Sequence, residues 1–296
     1  MKNSYKFLLA FIALSGVIAC GRLGNDDNKV HQQTRIVCIS KQINEYIYAL
    51  GAEQDLVAVD LSSTYPEQIK KLPNVGYHRA LSAEGIISMK PTVVLHDGSI
   101  GPEAVISQVK TVGIPMLEMK AGRGMDSAKL MMRQVGAYFH KDSAAESVIK
   151  KWDADMALAL KDTLKNVGKP KPRILIIHYG RAMNNYFAIT KRSTANQIIE
   201  WAGGVNAIDS VGGMARTNAE MIAKSAPDII IATDFGFDKF GSADKFKEMP
   251  GVALTPAAKT GRIYRIEENE IVYFGPRTPS VLKKVMDMMH STPSVK

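Results

Sequence analysis

The chain has 296 residues, 46% hydrophobic and 23% charged, with 38 Lys+Arg against 29 Asp+Glu for a formal net charge of +9. This is globular composition, which excludes a disordered or collagen-like chain; two cysteines exclude a disulfide scaffold and a four-cysteine zinc site. The basic excess is spread out and not gathered into tracts, so it speaks against nucleic acid as a partner and suits an anionic ligand or membrane surface.

The N-terminus carries a processing signature. Lys2 and Lys6 precede an apolar run from Phe7 to Ala19. That run is too short for a bilayer span, which needs about 20 residues, and has the length of a signal-peptide core. Val17-Ile18-Ala19-Cys20 resembles a bacterial lipobox. Residues 1–19 therefore read as a lipoprotein signal peptide, Cys20 as the lipidated residue and the polar stretch 20–34 as a tether. A plain secretory signal with an incidental cysteine is the alternative. The expected location is the periplasm or cell envelope, anchored to a membrane by lipid on Cys20.

Beyond the tether, short β-rich apolar runs alternate with helical patterns. Residues 36–40 read as a strand, with Cys38 as a small core residue. A helix over 42–50 is stopped by Gly51, a strand follows at 56–59 and a short helix at 65–72. Residues 82–89 read as a helix, 92–96 as a strand, 102–112 as a helix and 114–118 as a strand. Such alternation implies βαβ units and a mostly parallel sheet. A helix over 127–139 precedes the stretch 142–167, which contains neither Gly nor Pro and is rich in Ala, Lys, Glu, Asp and Leu. Its length suits a rod joining two lobes.

The second half repeats the rhythm: strand 173–178, helices 193–202 and 219–225, strand 228–233, then elements at 244–249, 262–266 and 279–290. Leu81-Ser-Ala-Glu84 with Pro91 and an apolar strand finds a counterpart in Thr217-Asn-Ala-Glu220 with Pro227 and an apolar strand. The expected fold is therefore α/β, two Rossmann-like βαβ lobes joined by a single long helix with the ligand in the cleft between them. The organisation drawn from it is an N-terminal lobe at 35–141, a backbone helix at 142–168 and a C-terminal lobe at 169–296.

Most enzyme templates fail: there is no Gly-x-Ser-x-Gly elbow and no P-loop, and the six histidines are scattered. No catalytic residue is assigned and the expectation is a non-enzyme. The informative string is Val75-Gly-Tyr-His-Arg-Ala-Leu-Ser-Ala-Glu84, in which Gly76 frees the backbone to present Tyr77 directly before a helix, flanked by His78 and Arg79. A phenolate beside positive charge is a hard anionic donor suited to ferric iron; the bland reading is a tyrosine packed at a loop. His178, Tyr179, Arg181, Phe235 and Phe237 stand at strand ends, where open α/β sheets bind ligands, though His178 can equally be a satisfied strand-end histidine. Met183 reads as packing.

The chain from about residue 35 to 290 resembles the helical-backbone periplasmic binding proteins that serve ABC importers of haem, cobalamin and ferric siderophores. Within them it resembles the haemin-binding subfamily. Glu45-Tyr-Ile-Tyr-Ala-Leu-Gly-Ala52, Ser63-Thr-Tyr-Pro66, Val75-Gly-Tyr-His-Arg-Ala-Leu-Ser-Ala-Glu-Gly85, the Ala-Gly-Gly of 202–204, Pro250-Gly-Val252 with Thr255-Pro256, and Phe274-Gly-Pro-Arg-Thr-Pro279 carry the resemblance. It implies a substrate-binding lipoprotein that captures ferric haem (haem b, hemin, as transported ligand) and delivers it to an ABC permease dimer with its ATPase; the alternative is a ferric siderophore or cobalamin receptor. It implies Tyr77 as the axial iron ligand and Glu84 and Glu220 as the permease-docking carboxylates. His178, Tyr179, Phe235 and Phe237 become second-face contacts, and Arg79 and Arg181 propionate contacts. One departure stands out: Asp234 and Phe235 occupy the place where many haemin-binding members have an arginine. Arg277 matches the family string and reads as structural near the C-terminal helix.

Overall fold

The structure, a computed structural model, describes residues 33–291 apart from 121, 123, 165–167 and 169. The signal-peptide and lipobox expectations, Cys20 included, and most of the tether lie outside the described residues. The chain from Arg35 onward is one compact unit.

The first half runs β1 (Ile36–Ile39), α1 (Lys41–Ala49), β2 (Leu56–Val59), β3 (Gly76–Tyr77), β4 (Ala80–Leu81), α2 (Ala83–Ile87), β5 (Val93–His96), α3 (Glu103–Thr111) and β6 (Met116–Glu118). Four of these strands form an all-parallel sheet in the order β2-β1-β5-β6. Strand β1 is apolar throughout because both faces are covered. Ile36 and Cys38 enter one core with Leu95, while Val37 and Ile39 enter another with Val94. Cys38 is fully buried, as a core residue should be.

Helix α4 (Met125–Tyr138) leads into α5 (Asp142–Leu164), whose 23 residues extend about 35 Å. Its buried stripe is spaced four, three and four residues apart, the period of one helix face. Ala145 and Ile149 join the core of the first half, and Trp152 and Met156 join that of the second. One helix thus serves two cores in succession, and this makes it a strut.

The second half contains β7 (Arg173–Gly180), β8 (Asn185–Ile189), α6 (Thr194–Trp201), β9 (Val205–Asn206), β10 (Met214–Arg216), α7 (Ala219–Ser225), β11 (Ile229–Thr233), α8 (Asp234–Asp238), α9 (Ala243–Phe246), α10 (Pro256–Lys259), β12 (Ile263–Ile266), α11 (Glu268–Ile271) and α12 (Thr278–His290). Its sheet runs β10-β8-β7-β11-β12, with β9 beside the start of β7. The expected α/β architecture of two sheets, each flanked by helices, is present. The expectation of mostly parallel strands holds for the first sheet and for β7, β11 and β12; β8 and β10 are antiparallel additions that the sequence reading missed. The reversal into β8 rests on Asn184, held at a φ of +48°, a region that asparagine tolerates. Two further corrections concern local structure. The predicted helix at 65–72 is a single 3-10 turn, Glu67–Lys71, and Tyr77 sits in the β3–β4 hairpin, with α2 beginning only at Ala83.

The sequence match between the two Ala-Glu strings has a structural counterpart. Ser82 caps α2 by accepting from Gly85 N, and Asn218 caps α7 by accepting from Met221 N. Glu84 and Glu220 are then the second residue of each helix, both exposed.

The halves meet where α1 faces the segment 267–278. Glu45, 3% exposed, accepts a bidentate pair from Arg277 at 3.0 and 2.9 Å and a hydrogen bond from Tyr273 Oη at 2.7 Å. Gln42 and Tyr46 both donate to the Phe274 carbonyl, and Trp152 of the strut donates to that of Gly275. Arg277 also stacks on Tyr65, 3.6 Å from its ring centre. Removing one member of so buried a set leaves the others unpaired, at a cost of about 3–5 kcal/mol. Glu45→Ala and Arg277→Ala are each expected to lower stability by that amount in urea unfolding. The double variant should cost clearly less than the sum, because the two share one interaction.

Candidate functional site

The cleft between the two halves encloses a cavity of about 780 Å³. That is ample for a drug- or cofactor-sized ligand. Its first-half wall is the β3–β4 hairpin. Gly76 adopts a φ of +99°, which a side chain would resist, and its amide binds Asn74 Oδ1. Leu61 N donates to the Gly76 carbonyl, Gly101 N donates to that of His78, and Leu81 N to that of Gly101. Held from both sides, the hairpin presents Tyr77, His78 and Arg79 to the cavity. Tyr77 and His78 are half-buried with ring centres 4.3 Å apart, whereas Arg79 is exposed.

Below them lies a polar floor. Asp60, 1% exposed, accepts from Ser62 and Ser63, and His78 Nδ1 lies 3.3 Å from Ser62 Oγ and 3.8 Å from Asp60 Oδ2. Burial pushes the His78 imidazole below its ordinary range, with Asp60 opposing. Across the cleft His178 also lines the cavity. Its Nδ1 is 3.5 Å from Thr233 Oγ1 and 4.0 Å from Glu268 Oε2. Burial lowers its pKa too, against the pull of Glu268. Glu268 is paired with Lys41, so that a first-half cation meets a second-half anion on the cavity floor. Burial pushes the Glu268 carboxyl up, but the charges of Lys41, His178 and Arg181 outweigh it and hold the group below its usual value.

The remaining predicted site residues separate into two groups. His178 faces the cavity; Arg181 and Phe235 are not among its lining residues, and the Arg181 guanidinium stands 4.2 Å from the centre of the Phe235 ring. Tyr179 and Phe237 are not cavity walls, which corrects the expectation for both. Side chains alternate along β7, so Tyr179 points away from the His178 side; it is 7% exposed, bonded to Asn184 and Lys239 and packed on Tyr186. Phe237 stacks on Phe246 at 5.7 Å in the core of the second half. Met183, predicted to pack, is instead 60% exposed and lines the cavity.

Sequence reasoning did not reach several lining residues. Lys41, Glu268, Lys191, Arg192 and Met214 all reach the cavity. Lys41 opens a helix and Lys191 and Arg192 lie in the turn before α6. Nothing in their local sequence differs from a solvated loop or helix start, and only the fold brings them together. Lys191 pairs with Asp209. Among the described residues no three His, Cys, Asp or Glu side chains converge as a metal cage, and no helix is long and apolar enough to cross a membrane.

Asp234, where an arginine was the familial expectation, has a structural task. Its Oδ1 accepts from Glu268 N at 3.0 Å, anchoring the helix that carries the floor carboxylate. Burial, with Glu267 alongside, raises its pKa to about 6. A carboxyl with a raised folded-state pKa contributes full stability below its unfolded value, and this is lost as pH rises through about 6. Asp234→Asn keeps the acceptor without the charge. It is therefore expected to melt several degrees above wild type at pH 8, with the gap closing towards pH 4, as read by calorimetry across that range.

Comparison with known proteins places the chain. Residues 36–270 match the periplasmic binding protein family. An uncharacterised ABC transporter substrate-binding lipoprotein, YvrC of Bacillus subtilis, is 25% identical over 86% of this chain and 79% of its own length. A vitamin B12-binding protein of Pectobacterium atrosepticum is 24% identical over 67% of this chain and 70% of its own length. Among solved structures, the periplasmic haem-binding protein RhuT from Roseiflexus sp. RS-1, in apo form, superposes with a TM-score of 0.79 at 29% identity, covering 87% of this chain and 98% of its own. The family match spans both sheets, the strut and the cleft walls, and the chain belongs to the periplasmic binding protein family.

Proposed function

We propose that this protein captures ferric haem in the cleft and delivers it to an ABC permease. The family supports a binding protein of the periplasm or cell envelope that serves an ABC transporter, with the cargo left open. The observation that carries haem is Tyr77. A half-buried phenol is held on a doubly anchored hairpin and faces a cavity of about 780 Å³. A phenolate is a hard donor matched to ferric iron. The likeness to a haem-binding structure over nearly its whole length supports the same reading.

Haem is an apolar plate with two carboxylates. Met183, Met214 and Ile271 offer the plate apolar contact, and Arg79, Lys191 and Arg192 on the cavity wall take the propionates, with Arg181 held over Phe235 outside the lining as a further cation. Charge-assisted pairs of this kind orient the plate more than they hold it. Tyr77 binds the iron from one face, and His178 stands towards the other. Phe235, its ring already covered by Arg181, backs that guanidinium and does not stack on the porphyrin. Glu84 and Glu220, one per half and each leading a capped helix, dock on basic pockets of a two-fold permease. Cys20 carries the lipid that keeps the protein at the membrane. No covalent chemistry on the ligand is involved.

A second reading, a cobalamin or ferric siderophore receptor, is favoured by the vitamin B12-binding relative. In that case Tyr77 is only a wall.

A visible-spectrum titration of the mature domain with hemin separates the two. Saturable binding with a tyrosinate-to-iron band is expected. In Tyr77→Ala the band should vanish and affinity fall by at least about a hundredfold, about 2.7 kcal/mol. Absence of saturation in the wild type, with cobalamin bound instead, overturns the haem reading. Glu84→Lys with Glu220→Lys should leave hemin affinity unchanged and abolish stimulation of the transporter's ATPase in proteoliposomes.

A further inference from the structure

We infer that Asn269 of the second half is a positioning residue for Tyr77: it fixes the loop that holds both sequence neighbours of that phenol. This rests on the haem reading above and gives a task to a residue that does not line the cavity.

Strands β3 and β4 have two residues each, and so short a hairpin has little stability of its own. What sets Tyr77 is therefore whatever holds Gly76 and His78. On one side that is the loop 60–64. Leu61 N donates to the Gly76 carbonyl at 2.9 Å, and Ser62 Oγ is 3.3 Å from His78 Nδ1. Consecutive loop residues thus grip the residues before and after the phenol. On the other side Gly101 N donates to the His78 carbonyl, a contact within the first half.

The loop is drawn together by Asp60, whose carboxylate accepts from Ser62 N at 3.0 Å and from both serine hydroxyls. Asn44 donates to Ser63 Oγ at 2.8 Å. The second half supplies the remaining hold. Asn269 Nδ2 donates to the Ser62 carbonyl at 3.2 Å and to Thr64 Oγ1 at 2.8 Å. A main-chain carbonyl can only accept, so the amide nitrogen must face it, and both of its protons are used. Asn269 is 6% exposed, so water does not readily replace a lost bond.

Asn269 is itself fixed. Its short helix α11 begins with a reciprocal capping pair between Glu267 and Glu270, and Arg277 donates to its main-chain carbonyl at 3.4 Å. A side-chain substitution at 269 leaves that main-chain bond, and with it the Glu45 joint, in place. The iron ligand belongs to the first half, but its placement is shared with the second.

The test has one arm without haem and one with it. In the apo protein, hydrogen exchange at the Leu61 amide is expected to be at least about tenfold faster in Asn269→Ala than in wild type, with the Val94 amide, bonded to the Pro115 carbonyl, unchanged. Equal exchange at Leu61 overturns the inference, whatever the cargo. With hemin, Asn269→Ala should keep stoichiometric binding, shift and broaden the tyrosinate-to-iron band, and release haem about 10- to 100-fold faster. Thr64→Val removes only one of the two contacts and should fall between. In a Tyr77→Ala background the Asn269→Ala substitution should add little, because the two act through one bond, whereas a general loss of packing would add in full. If it speeds release equally with and without Tyr77, or leaves band and release at wild-type values, the inference fails and the haem reading stands. If wild type binds no hemin, the haem reading fails and the exchange arm alone decides whether Asn269 positions the hairpin.

Discussion

The carboxylate of Glu45 is the point about which the two halves are joined. It lies inside the protein, accepts from Arg277 and Tyr273, and sits on a helix whose Gln42 and Tyr46 hold the Phe274 carbonyl. Burying such an ion pair gains little net energy, since desolvation offsets much of the attraction. What it provides is geometry. A guanidinium fork and a phenol can satisfy one carboxylate in a narrow set of orientations. The first helix of one half is thereby held in a set relation to the last loop and helix of the other. Gly275 is packed so closely that an added side-chain carbon would stand 3.1 Å from Glu45 Oε1.

That joint and the strut together locate the cleft. Helix α5 lends consecutive turns of a single stripe to two cores, so it cannot bend without opening one of them. The joint and strut share Trp152, which packs in the second core and donates to Gly275 at the joint. Ligand space is left where the ends of β1, β5 and β7 face one another, with Gln42, Tyr273 and Phe274 of the joint on its wall. The wall residues differ in how firmly they are held. Tyr77 is bracketed by main-chain hydrogen bonds, whereas Arg79, Lys191 and Arg192 are exposed. Under the proposed haem reading, a stiff donor for the centre of a plate and exposed cations for its edge would divide the work by tolerance: iron coordination demands a set distance, and a propionate does not.

Much of this was legible in sequence because it is written in local periodicity. The apolar strands, the capped helices at Ser82 and Asn218 and the uninterrupted helix from Asp142 each follow from neighbours within a few residues. Tyr77 was legible because Gly76 marks a turn. What was not legible depends on partners far along the chain. Strands β8 and β10 are short, and their apolar alternation is filled by Tyr186, Phe187 and Ala188 without a turn signal other than Asn184. Tyr179 and Phe237 stand beside true lining residues in sequence, but one lies on the opposite strand face and the other at a helix position that turns it to Phe246. Lys41 and Glu268 are 227 positions apart and form one pair. No window of sequence contains that contact.

The distribution of contacts also constrains how cargo is released. The Glu45 joint is buried and multiply bonded, so it persists while the halves move. Lys41–Glu268 is a contact on the floor itself, and beside it Asn269 donates to Ser62 O and Thr64 Oγ1 of the first half. A pair of partly exposed charges weakens steeply once water enters between them, because the effective dielectric rises with hydration. Opening therefore need not break the joint. On the docking proposed above, a partner that pulled the two capped helices apart far enough to wet the floor would weaken the Lys41–Glu268 pair first. Glu84 and Glu220 lie at the start of those helices, so under the proposed docking a permease gripping both would apply its force to one half each. The same fold can then be stiff enough to keep a ligand and still yield to a modest displacement at its surface.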